Sequence, residues 1–203
     1  MGQIGVSKAR HIRYTRVGCH ALDKLNMDIK NLRTLVDKYF GDNPEARDKG
    51  RITEKTEFEN INTKVLKNIP DWYRDILMSY PLVNQEIGIP NDFGQEEYIG
   101  KPFGELPLMG LTFISVKEIA YHALQIFPDC ELLDIGCIRI AEDKFSTQEG
   151  VFINSREENP SVYLLMHDFG DSGKEVLKNS IKLLDKFSDI FYYGRVRDMT
   201  GDD

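Results

Sequence analysis

The chain has 203 residues, 41% hydrophobic and 29% charged, with a formal net charge of −7. That is enough chain for one sizeable core, and the apolar fraction is too high for wholesale disorder. No stretch approaches the roughly 18 consecutive apolar residues of a membrane span, and no apolar run follows the basic N-terminus as a signal peptide requires. Cys19, Cys130 and Cys137 cannot all pair within one chain, so reduced thiols and a cytoplasmic protein are expected.

Residues 1–50 read as a basic N-terminal extension carrying one amphipathic helix. Leu22, Leu25, Ile29, Leu32, Val36 and Tyr39 follow at three- and four-residue steps, which places them on one helical face. Gly41, before Asp42-Asn43-Pro44, is expected to cap that helix in a left-handed conformation. The apolar stripe implies packing, either on the rest of the chain or on a second copy in a homodimer. A chain beginning at Arg51 is expected to fold without it.

Residues 51–198 read as one α+β domain. Phe58, Ile61, Val65 and Leu66 suit a short amphipathic helix, and Pro70 suits the first position of the next, where Trp72, Ile76 and Tyr80 share a face. From Leu82 to Gly110 prolines and glycines crowd the chain, and an irregular segment with one short strand is expected. Leu111 to Ile114 predicts a strand. Ser115-Val116-Lys117-Glu118 then predicts a capping box opening a helix, with Ile114 and Ile119 at the positions of a hydrophobic staple.

Three strands follow over Ile135–Ala141, Gly150–Asn154 and Ser161–His167. Their polar connections suit an antiparallel meander. The spacing of Leu177, Ile181, Leu184, Phe187 and Phe191 predicts one closing helix that begins near Ser172 and ends at Gly194. Clustered strands with flanking helices give a small, largely antiparallel sheet packed against several helices.

Motifs for chemistry are sparse. Gly170-Asp171-Ser172-Gly173-Lys174 sits where a phosphate-binding loop would, but it has two residues between the glycines instead of four, and Glu175 follows the lysine. It reads as a helix cap. His11, Cys19 and His20, or Cys130 and Cys137, fall short of the two close pairs of a structural zinc site, so no metal is expected. His122 and His167 lie in no nucleophile or metalloprotease motif. The acidic pairs Glu96-Glu97, Glu142-Asp143 and Glu157-Glu158 are expected in loops or at their edges, as solvated charge.

Charge is unevenly distributed. Residues 1–55 hold 12 Lys/Arg against 7 Asp/Glu, and the remainder holds 14 against 26. So acidic a body repels nucleic acid and attracts a basic protein.

From about Glu54 to Arg195 the chain resembles the SUKH superfamily. The resemblance rests on Ile69-Pro70-Asp71-Trp72-Tyr73-Arg74-Asp75-Ile76-Leu77 and on the strand-to-helix step Phe113-Ile114-Ser115-Val116-Lys117-Glu118-Ile119. It continues through a strand series at Asp134-Ile135-Gly136, Gly150-Val151-Phe152-Ile153-Asn154 and Val162-Tyr163-Leu164-Leu165, and ends on a closing amphipathic helix centred on Ile181 to Phe187. It implies an immunity protein that binds and blocks a bacterial toxin, commonly a nuclease, with no catalytic set and no cofactor. Residues 1–50 lie outside it. Loops carry recognition, so Glu96, Glu97, Glu157 and Glu158 are the expected partner-binding residues. A small hydrolase using carboxylates or a histidine, and a regulatory scaffold, are the alternatives.

Overall fold

A computed structural model describes residues 29–91, 96–98, 101–102, 105–143, 149–166, 168 and 170–196. Among them the first half is helical: α1 (Ile29–Asp42), α2 (Ala46–Lys49), α3 (Lys55–Glu59), α4 (Thr63–Asn68) and α5 (Asp71–Ser79). Then come β1 (Glu86–Pro90), β2 (Leu108–Phe113), α6 (Val116–Gln125), α7 (Asp129–Leu132), β3 (Cys137–Asp143), β4 (Gly150–Asn154) and β5 (Val162–Leu165). The chain closes with α8 (Gly173–Lys178), β6 (Ile181–Leu184), α9 (Asp189–Tyr193) and β7 (Arg195–Val196). The fold is α+β. Its seven strands form one antiparallel sheet in the order β6-β5-β4-β3-β2-β1-β7. Strands β1 to β6 thus meander in chain order, and β7 returns to cover β1.

α1 belongs to the main core. Leu32, Val36, Tyr39 and Phe40 are buried in one cluster with Trp72, Tyr73 and Phe113, so residue 50 does not separate two cores. Leu22 and Leu25 lie outside the described residues. Gly41 is helical, not a left-handed cap. The reason is that side chains occupy the terminal carbonyls: the Asn43 amide and its side chain both donate to the Tyr39 carbonyl, and Arg47 donates to that of Phe40.

The expected single helix around Phe58 to Leu66 is two helices. Asn60 donates its side-chain amide to the Thr56 carbonyl and ends α3, while the Asn62 side chain accepts from the Lys64 amide and starts α4. Asparagine competes with the helix for its own backbone groups, which is why the break falls there. Pro70 precedes the first residue of α5.

The capping box at Ser115 forms in both directions. The Ser115 amide donates to Glu118 Oε2 at 2.7 Å and Ser115 Oγ accepts from the Glu118 amide at 3.2 Å. β2 begins at Leu108, ahead of the expected Leu111. β3 begins at Cys137, because Leu133–Ile135 forms a 3-10 turn closed by Gly136 at φ 86°, a left-handed value that favours glycine.

The largest correction concerns the closing helix, which is three elements. Asn179 and Ser180 end α8 by donating to the carbonyls of Glu175 and Leu177. Ile181–Leu184 then pairs with β5, satisfying a row of backbone groups that a helix would leave open. Phe187, beyond the strand, stands 5.0 Å from Trp72 and 5.7 Å from both Tyr73 and Phe191, ring centre to ring centre.

The sheet is covered on both faces. Ile138, Val151, Ile153, Val162 and Leu164 point into the main core. Cys137, Phe152 and Leu165 point the other way, under Leu132 of α7 and Val176 of α8.

Candidate functional site

On that second face lies a chain of charged side chains joining α6, α7 and β3. A bulge between Arg139 and Ala141 sets its geometry. In a regular strand, side chains three apart face opposite ways. The extra residue brings both Arg139, opposite Phe152, and Glu142, opposite Gly150, to the same face.

Arg139 Nε and Nη2 donate to Asp129 Oδ2 and Oδ1 at 2.8 and 2.9 Å, with side chains only 5% and 2% exposed. The guanidinium also lies over the Phe152 ring, 5.3 Å from its centre. Gly150 makes room for it: a Cβ there would stand 2.6 Å from the Arg139 Cζ.

Glu142 Oε1 is 3.6 Å from Arg139 Nη1 and 3.3 Å from His122 Nε2. The His122 hydrogen bond, helped by the Arg139 charge, holds the Glu142 carboxyl below its usual range against the opposing effect of burial. Glu142 is half-exposed, whereas His122 Nδ1 is buried with no hydrogen-bond partner. The cluster can hold charge and exchange a proton at its Glu142–His122 end, but among the described residues no third group orients the imidazole as in a catalytic triad.

Glu142 and Asp143 are therefore not loop charge. They end β3, and Asp143 is buried. The buried pair itself was missed by sequence reasoning, although Arg139 between Ile138 and Ile140 was a signal: a cation in an apolar strand needs a buried carboxylate.

The expected binding residues divide into two places. Glu96 and Glu97 open a 3-10 turn between β1 and β2; Glu97 is exposed and hydrogen-bonded to the Tyr98 hydroxyl, and the Glu96 side chain lies outside the described residues. Glu157 and Glu158 are exposed in the turn from β4 to β5, where Glu157 accepts from the Asn154 side chain at 2.6 Å. In an antiparallel meander the β1–β2 and β4–β5 connections fall at opposite ends of the strands. Glu97 therefore shares no patch with Glu157 and Glu158.

Ser172 caps α8, accepting from the Glu175 amide at 3.4 Å. The Gly173 amide, which a phosphate would need, donates to Glu131 Oε2 at 2.6 Å. Burial pushes the Cys137 thiol up to about 11. Among the described residues no three metal-ligating side chains cluster, and no helix is long and apolar enough to cross a membrane. His11, Cys19, His20 and His167 lie outside them.

An open groove of about 450 Å³ lies elsewhere, between the Arg51–Val83 bridge and the start of α6. Asn84, Ser115, Lys117, Glu118 and Tyr121 line the rest of it; His122 and Glu142 do not. No family model, no curated protein and no solved structure matches the chain.

Proposed function

We propose that this chain is a non-catalytic protein of the SUKH immunity type, which neutralises a bacterial toxin by binding it in the cytoplasm. The observation that carries this reading is charge. Residues 56–203 hold 26 Asp/Glu against 14 Lys/Arg, and Glu97, Glu157 and Glu158 stand exposed in turns. A nuclease that grips phosphate is basic, and an acidic protein surface competes for the same side chains. The order of α5, the step from β2 into α6, and the meander supports the same reading, whereas the closing helix of the resemblance does not, since Ile181–Leu184 is a strand. The partner is then a basic toxin domain, and no cofactor is needed.

The test is to seek a toxin reading frame beside its gene and to titrate the purified chain with that toxin domain at low and high salt; an isolated gene counts against the proposal. The variants E96K/E97K and E157K/E158K are compared separately, since the pairs lie at opposite ends of the strands. At least one is expected to slow association, more at low salt than at high. Unchanged affinity in both would remove the acidic turns from the interface.

The second reading, a small hydrolase, draws on the 3.3 Å contact between His122 and Glu142. It requires a substrate cavity at that pair. A chain that still neutralises the toxin after His122→Ala would sink it.

A further inference from the structure

We draw no further inference here: the strongest candidate, the exposed apolar patch of Tyr121, Leu124 and Phe127 on α6 and at its exit, carries nothing because nothing in the structure shows what covers it, the charges beside it being held within the chain, Arg51 by Glu57 and Glu131 by the Gly173 amide.

Discussion

The guanidinium of Arg139 closes on the carboxylate of Asp129 with two parallel hydrogen bonds, inside the protein and away from water. Ten positions apart in sequence, the two residues tie the start of α7 to the middle of β3.

Breaking that pair on one side should be costly. Asp129→Ala strips the buried guanidinium of its two hydrogen bonds, leaving only the half-exposed Glu142 at 3.6 Å, and is expected to destabilise the fold by about 3–5 kcal/mol. Replacing both residues together, as Asp129→Leu with Arg139→Met, should cost much less, because no charge is left uncompensated. Urea unfolding of the two variants compares them directly; equal losses would show that packing, not charge, dominates.

Two glycines should respond to alanine with opposite signs. At Gly150 a Cβ would stand 2.4 Å from the Phe152 ring and 2.6 Å from the Arg139 guanidinium. Gly150→Ala should destabilise by about 1–3 kcal/mol through overpacking. At Gly41, inside α1, nothing lies within 4 Å of the added atom. Gly41→Ala should therefore stabilise by about 0.5–1 kcal/mol through helix propensity and a less flexible unfolded chain. Thermal melts of both variants are the measurement.

Acid should weaken the fold through two named carboxylates. Hydrogen bonding to Arg51 lowers the pKa of Glu57, and hydrogen bonding to His122 lowers that of Glu142. A depressed folded value means the contribution is fully present above the unfolded value of about 4.3 and is lost as pH falls through the folded one. The urea midpoint should fall across that window. In the variant E57Q/E142Q the fall should be shallower, and an identical pH profile would remove both groups from the acid response.

Removing residues 1–50 should abolish cooperative folding of the remainder. Leu32, Val36, Tyr39 and Phe40 are all buried in the main core. At about 1.5–3 kcal/mol for each large apolar side chain, their loss is comparable to the whole stability of a typical domain, about 5–15 kcal/mol. A chain starting at Arg51 that kept its thermal transition would show that the α1 contacts are dispensable.

Signals complete within a few residues were legible in the sequence. Ser115 and Glu118 carry both halves of a capping box, and Ser172 caps α8. Gly150–Asn154 falls between polar turns and is a strand at those bounds. The α+β class and the antiparallel meander followed from such local pieces, because short polar connections leave neighbouring strands little choice but to pair.

What local pattern could not decide was left to the tertiary structure. Ile181, Leu184 and Phe187 fit a helical period, yet the open edge of β5 needed backbone partners, and Ile181–Leu184 became a strand. Glu142 reads as loop charge until the bulge in β3 turns it toward Arg139 and His122. Asp129 looks like an ordinary first-turn acid, and only the crossing of α7 over β3 buries it against Arg139. A short apolar run or a single charge carries too little free energy to choose its own environment, so the choice falls to whichever distant partner leaves fewest buried polar groups unpaired.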